Sequence, residues 1–322
     1  MADPQPIHPQ TGAGPSVDGP SVVALGGGHG LATALRAIRR YAGSITAVVS
    51  VADDGGSSGR LRRDLGVPPP GDIRRCLVAL AGDDGVWSPA FEHRFRDGEL
   101  EGHALGNLVL VGLTETLGSF PAALDEAGRL LKAVGRVVPA TVEPVVLKAE
   151  LSAPDVDGRV VEGLVVEGQV AVANSREIRR VELVPSDVAA TPDAVDAILV
   201  ADQVVYAPGS LYTSVLPVLC VAGLREAIVG TRARVVQVAN LRPQVPETSG
   251  MDLADHLAAV LAHGARVDTL LHDTGEGLPI DPERLAALAD EWGVEVVAAR
   301  VARADGLAHD HQQLARALCA LL

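Results

Sequence analysis

Two glycine-rich turns constrain this chain more than any other feature: Gly26-Gly27-Gly28-His29-Gly30 and Ala207-Pro208-Gly209-Ser210-Leu211. Each follows a short β-branched run and leads into an apolar segment with helical spacing. A strand that hands its backbone to a helix N-terminus aims N–H groups and partial positive charge at one point. The missing side chains let a phosphate oxygen come close. Two such turns, far apart in the chain, predict that opposite halves of one sheet grip a single diphosphate-bearing ligand.

The pattern around the first turn is strand 22–25, helix 31–41 with Leu31, Leu35 and Ile38 on one face, then a buried strand 45–51. A βαβ unit has a right-handed crossover, so both strands end at one sheet edge. There the first turn becomes a neighbour of Asp53-Asp54-Gly55-Gly56-Ser57-Ser58-Gly59. Residues 60–71 read as a loop ending in Pro68-Pro69-Pro70-Gly71, with Asp72 capping a helix that runs to about Ala81. Residues 88–134 are mostly helical, with a break at Gly102-His103-Ala104-Leu105-Gly106-Asn107.

Residues 137–184 change character, with β-rich runs at 141–151, 160–167 and 178–183 and turn signals at Asp157-Gly158 and Asn174-Ser175. Alternation then resumes: helix 191–201, strand 204–206, the second glycine turn, and helices 214–221 and 224–230. Strands 235–238, 267–271 and 294–298 follow, separated by helices 253–263 and 282–292 and closed by helix 312–322. The expected fold is α/β, a doubly wound, mostly parallel Rossmann-like sheet with an inserted antiparallel β-rich segment. Residues 1–21 are expected to be a disordered tail, and 22–322 one domain.

Charge and composition narrow the partners. Hydrophobic residues make up 48% of the chain but aromatics only 2%, so Ala, Val and Leu must fill the core. A net charge of −14 opposes attraction to nucleic acid or an anionic membrane. Cys76, Cys220 and Cys319 are widely spaced and odd in number, which fits a reducing compartment and no disulfide framework. Residues 1–21 hold five prolines and no apolar run, unlike a signal peptide. The longest apolar stretch, near 215–224, is too short and too interrupted to cross a bilayer. A cytoplasmic protein without membrane insertion is expected.

The chemistry-bearing residues cluster at the predicted edge. The frame from Gly26 places Leu31 where a dinucleotide fingerprint has its third glycine, which disfavours an ordinary NAD dehydrogenase. Asp53 and Asp54 suit a divalent cation, a sugar hydroxyl or turn capping. Neighbouring side chains in extended backbone point to opposite sides, so one of the two faces the site. Gly55-Gly56-Ser57-Ser58-Gly59 matches a nucleophile-elbow pattern, but strand, serine and helix do not follow immediately as an elbow needs. Arg60, Arg62, Arg63, Arg74 and Arg75 near this edge suit phosphate or carboxylate pairing. No histidine spacing fits a zinc site. The second turn adds the hydroxyls of Ser210, Tyr212, Thr213 and Ser214, and Asn240, Gln244, Glu247 and Thr248 follow the strand at 235–238.

These strings, in this order, resemble the bacterial YvcK family, or gluconeogenesis factors, relatives of CofD, the 2-phospho-lactate transferase of deazaflavin cofactor synthesis. The resemblance rests on Gly26-Gly27-Gly28-His29-Gly30-Leu31, Asp53-Asp54-Gly55-Gly56-Ser57-Ser58-Gly59-Arg60-Leu61-Arg62 and Pro70-Gly71-Asp72-Ile73-Arg74. It continues through Gly106-Asn107-Leu108, Pro208-Gly209-Ser210-Leu211-Tyr212-Thr213-Ser214, and Asn240-Leu241 with Gln244, Glu247 and Thr248. His29, Ala207 and Pro246 depart from the common pattern, which has threonine, glycine and glycine there.

The resemblance implies a cytoplasmic regulator of cell shape, wall synthesis and gluconeogenic growth that binds a UDP-sugar such as UDP-N-acetylglucosamine. The ligand residues so implied are Gly26 to Gly30, Asp53, Asp54, Ser57, Ser58, Arg60, Gly71, Asp72, Asn107, Gly209 to Ser214, Asn240, Gln244, Glu247 and Thr248. No cofactor is required and no catalytic residue is assigned on that reading. The alternative is a CofD-like transferase moving a phospho-lactyl group from a nucleotide diphosphate donor to a deazaflavin, with Mg on Asp53 and Asp54. A protein partner in wall regulation and a homo-oligomer are expected, with residues 253–261 a candidate contact that core packing explains equally well.

Overall fold

The computed structural model describes residues 18–82, 85–154, 160–275 and 277–322. The first half runs β1 (Ser21–Gly26), α1 (Gly28–Ile38), β2 (Ser44–Val49), α2 (Gly56–Leu65), α3 (Gly71–Leu80), α4 (Trp87–Glu92), α5 (Leu105–Leu117), α6 (Phe120–Leu130) and β3 (Arg136–Pro139). The insertion holds β4 (Val146–Pro154), β5 (Val160–Glu167), α7 (Gln169–Ala173) and β6 (Ile178–Val184). The second half has α8 (Pro192–Leu199), β7 (Gln203–Tyr206), a π-helical turn (Leu211–Val215), α9 (Leu216–Leu219), α10 (Ala222–Gly230) and β8 (Arg234–Val238). It ends with α11 (Leu253–Ala262), β9 (Thr269–Asp273), α12 (Pro282–Trp292), β10 (Glu295–Ala299) and α13 (His311–Cys319).

Seven parallel strands form the main sheet in the order β10-β9-β8-β7-β1-β2-β3. The chain builds outward from β1 in one direction, then returns to its other side with β7, so the order reverses between β1 and β7. Loops leaving the carboxyl ends of strands at such a reversal diverge and leave a crevice. The register is direct: Val22 to Leu25 lie opposite Gln203 to Tyr206. Valine and alanine dominate these central strands and are buried, as expected of parallel strands covered on both faces. Helices α1, α3 and α13 pack together in one group, and α8, α9 and α10 in another.

Three expectations are corrected. Residues 60–71 are not all loop, because α2 runs to Leu65 and ends on Gly66 in the left-handed conformation. Its arginines mask a helix held by Leu61, which packs with Val67 and Val111. Asp72 does not cap its own helix: α3 starts behind Pro70 with no side-chain cap, and the Asp72 carboxylate turns elsewhere. The β-rich region does not begin at 137, because β3 completes the main sheet beside β2. The insertion proper is the antiparallel sheet β5-β4-β6. Its Asp157-Gly158 turn lies outside the described residues, as does most of the N-terminal tail. On α11, Leu253, Leu257, Val260 and Leu261 are core residues, so that apolar face is spent inside the molecule.

Among the described residues no single helix is long and apolar enough to cross a membrane. One bent pair, Leu211–Leu219 with Ala222–Gly230, passes on length and composition alone. Its Leu216, Leu219, Leu224 and Ile228 are buried in the core.

Two buried imidazoles make the fold acid-sensitive. Burial pushes His256 and His309 down to about 4, and the Nε2 of each has no partner among the described residues. An unfolded imidazole takes its proton near its ordinary value of 6.5. Between about pH 6.5 and 4 the unfolded chain therefore binds more protons, and stability falls as pH falls through that window. Urea unfolding should show a loss of order 2 kcal/mol per histidine by pH 4, and His256→Gln should flatten the slope. In the core, Leu35→Ala removes a fully buried side chain of α1 and should cost about 2–5 kcal/mol by the same measurement.

Candidate functional site

The two glycine turns meet. A Cβ added to Gly30 would lie 1.7 Å from the Pro208 carbonyl oxygen and 2.8 Å from Gly209 Cα. Gly30 is thus required by loop against loop. Gly26, at φ +146°, ends β1 and turns the chain, and Gly28, at φ +60°, starts α1 in a conformation that favours glycine. Asn240, after β8, clamps the second turn from the other side: its Oδ1 accepts from Gly209 N–H and its Nδ2 donates to the Gly209 carbonyl, both at 2.7 Å.

Around this junction opens a cleft of about 600 Å³. Of the residues singled out in the sequence, Gly27, Gly28, His29, Gly30, Asp53, Ser57, Ser58, Gly71, Asp72, Asn107, Gly209, Ser210, Thr213, Ser214 and Gln244 line it. Gly26, Asp54, Arg60, Leu211, Tyr212, Asn240, Glu247 and Thr248 do not. Leu211 is in the core. Arg60 donates to the Glu101 carbonyl at 2.7 Å. Thr248 Oγ1 accepts from Gln244 N–H at 2.7 Å, shaping the turn that presents Gln244. Tyr212 and Glu247 lie along a neighbouring groove beside α11.

Both helix N-termini expected to cradle phosphate already hold an internal carboxylate. Asp72 accepts from Gly28 N–H and from Arg75 Nη1, the latter at 2.7 Å. A Cβ on Gly27 would sit 2.6 Å from Asp72 Oδ2. Glu247 Oε1 accepts from Tyr212 N–H at 2.7 Å and Thr213 N–H at 3.2 Å, and its Oε2 from Ser210 Oγ. Desolvation favours the neutral acid, and it raises Asp72 and Glu247 above the usual carboxylate range. Asp53 is raised too, by burial and by the neighbouring Asp72 charge, against the donation of Gly55 N–H.

Asp53 and Asp54 divide as extended backbone requires. Asp53 faces the cleft, whereas both oxygens of Asp54 accept backbone N–H groups of Gln169 and Val170 at 3.0 Å. That bond carries α7 of the insertion to the cleft rim, where Gln169 and Ala173 complete the wall. A metal held jointly by Asp53 and Asp54 does not fit, since Asp54 is spent at α7. Among the described residues no group of three or more His, Cys, Asp or Glu is arranged to hold a metal.

Cations enter from places the motifs do not mark. Arg75 of α3 and Arg94 of the connection between α4 and α5 line the cleft, as do Ser50, Gln169 and Ala173. Arg75 belongs to the arginine cluster of the sequence, but its neighbour Arg74 is buried and bound to Glu92 at 3.1 Å and to the Phe91 carbonyl. Nothing in the sequence separates the two. Burial, then the Arg75 cation, lower His29 below the ordinary imidazole range. Beyond Asn240 a second cleft of about 490 Å³ includes Arg242, Arg300 and Arg303 in its wall.

The fold and cleft define a doubly wound α/β protein with a polar, glycine-lined crevice at its strand-order reversal. A family model described as 2-phospho-L-lactate transferase CofD matches residues 22–309, and the chain belongs to that family, within its gluconeogenesis-factor (YvcK) group. A Mycobacterium leprae relative is 45% identical over 308 residues, covering 93% of this chain and 85% of that protein. The Bacillus subtilis gluconeogenesis factor is 38% identical over 325 residues, covering 94% and 98%. A crystal structure of a UPF0052-family protein from Bacillus halodurans superposes with a TM-score of 0.84 at 37% identity, covering 94% of this chain and 99% of that one.

The loop junction predicts a sharp intolerance. Gly30→Ala has to displace backbone at Pro208, and should cost more than about 2 kcal/mol in urea unfolding. Ala at Gly112, where nothing lies within 4 Å, should be neutral or mildly stabilising.

Proposed function

We propose that the cleft binds the diphosphate of a nucleotide-linked sugar of the UDP-N-acetylglucosamine type, and that a protein partner controlling cell shape and gluconeogenic growth reads its occupancy. The observation that carries this reading is the meeting of both glycine turns at the β1/β7 reversal with Arg75 and Arg94 on the wall. The internal carboxylates refine it. With Asp72 and Glu247 on the helix N-termini and the Ser210 and Thr213 hydroxyls donating within the protein, diphosphate charge falls to the two arginines, to the Ser214 hydroxyl, and to backbone that the glycines leave open. An extended ligand that passes Asn240 meets the arginines of the second cleft.

A second reading, phospho-lactyl transfer from a nucleotide diphosphate to a deazaflavin alcohol, is favoured by the match to the transferase family and by Asp53 and Asp72 facing one cleft. Magnesium takes one or two carboxylates and completes its shell with water and substrate phosphate, so Asp53 with Asp72 suits it. Bound there, it would supply charge to the transferring phosphoryl group.

Titration calorimetry with UDP-N-acetylglucosamine separates the readings. Binding without magnesium, weakened about 10- to 100-fold by Arg75→Ala, is the expected result. Absence of heat with any nucleotide sugar defeats the first reading, and magnesium-dependent formation of a deazaflavin phosphodiester establishes the second.

A further inference from the structure

One contact in the cleft joins groups that chemistry uses together. Ser57, in the first turn of α2, lines the cleft, and its Oγ lies 3.0 Å from His103 Nδ1. The same Oγ accepts from Asn107 Nδ2 at 3.0 Å. With Asn107 donating to that oxygen, the Ser57 proton points to the imidazole, which keeps its own proton on Nε2. Burial, then the Arg60 cation, hold His103 below the ordinary imidazole range; Arg94 acts in the same direction and Asp64 against it. The ring is neutral near pH 7 and able to accept a proton.

Two further features point outward from this pair. Asn107 is 1% exposed and lines the cleft, yet its Oδ1 has no partner among the described residues. A buried acceptor without a donor calls for one, and the open side of Asn107 is the cleft, from which a substrate or water can donate. The N–H groups of the first turn of α2 have no intrahelical acceptor, so they are available to charge developing beside Ser57.

We propose that Ser57 is an activated nucleophile, with His103 as its base, that takes a phosphoryl group from a phosphoanhydride bound in the cleft. The substrate part rests on the diphosphate reading above; the nucleophile does not. Ser57 Oγ bonds to phosphorus as the bridging P–O bond of the anhydride breaks, and the serine proton passes through His103 to the leaving phosphate oxygen. Water then attacks phosphorus, the Ser57 O–P bond breaks, and a proton returns to Ser57. The net reaction is hydrolysis of the anhydride. No nucleophile elbow is involved, because the serine is brought to its base by the connection between α4 and α5 rather than by a strand-to-helix turn.

The full chain treated with a small fluorophosphonate tests the nucleophile whatever the natural ligand. Peptide mapping should find the label on Ser57, at a rate level between about pH 7 and 9 and falling in acid as His103 gains its proton. His103→Gln, checked for an unchanged melting temperature, should be labelled about 100-fold more slowly. An unlabelled Ser57, equal rates in the two proteins, or a rate climbing with hydroxide through pH 9 overturns the pair. Incubation with UDP-N-acetylglucosamine should release UMP, and Ser57→Ala should abolish the release. Calorimetric binding with Ser57 labelling but no UMP refutes the phosphoanhydride substrate and leaves the binding reading intact. Labelling without binding defeats the binding reading and, with it, that substrate.

Discussion

The approach of Gly30 to the Pro208 carbonyl is the constraint on which the rest of the cleft depends. With 1.7 Å between that oxygen and the place a Cβ would occupy, the two turns share one volume that no side chain can enter. The pairing of β1 with β7 brings them there, and Asn240 holds the second turn against the first. Phosphate approach is one reason for glycine in such a loop. Here the contact between the loops supplies a reason of its own at Gly30, independent of any ligand.

That packing leaves two helix N-termini converging at one point, and bare convergence of partial positive charge under low solvation is unfavourable. Asp72 and Glu247 answer it from outside their own elements, one crossing from α3 to α1 and the other from the turn after β8 to the π-helical segment. The same carboxylates occupy the N–H groups that the glycine turns offer. The cations left on the cleft wall are Arg75 and Arg94. Arg75 is shared between Asp72 and the cleft, so one guanidinium serves both the ion pair and the wall.

The strand content and the edge that carries the chemistry were legible because they are local. Period and β-branching mark buried strands, and glycine marks their exits. The helix of residues 56–65 was not, because it carries Arg60, Arg62, Arg63 and Asp64, and its buried side holds one apolar side chain, Leu61, beside Ser57, Ser58 and Gly59. Asp72 fits the local rule for a cap and still serves a different helix, since a carboxylate at N2 of α3 is closer to Gly28 than propensity can know. Arg94 reaches the cleft, and His103 the cleft-lining Ser57, from a connection shaped by the bond of Arg94 to the Gly102 carbonyl and docked by the long-range bond of Arg60 to the Glu101 carbonyl. Side chains at such positions carry no spacing signal.

The adjacent aspartates tie these levels together. Because consecutive side chains of an extended segment point oppositely, Asp53 toward the cleft forces Asp54 toward the insertion, where it holds two N–H groups of α7. Gly168, at φ +97°, brings the chain so close that a Cβ there would lie 2.5 Å from Asp54 Oδ2. The 53–54 turn therefore puts one carboxylate in the cleft and the other on α7. Gln169, held by Asp54, stands in the same cleft wall that Asp53 faces. The insertion, remote from the parallel core in sequence character, thus reaches the cleft wall through the bonds of one aspartate beside another.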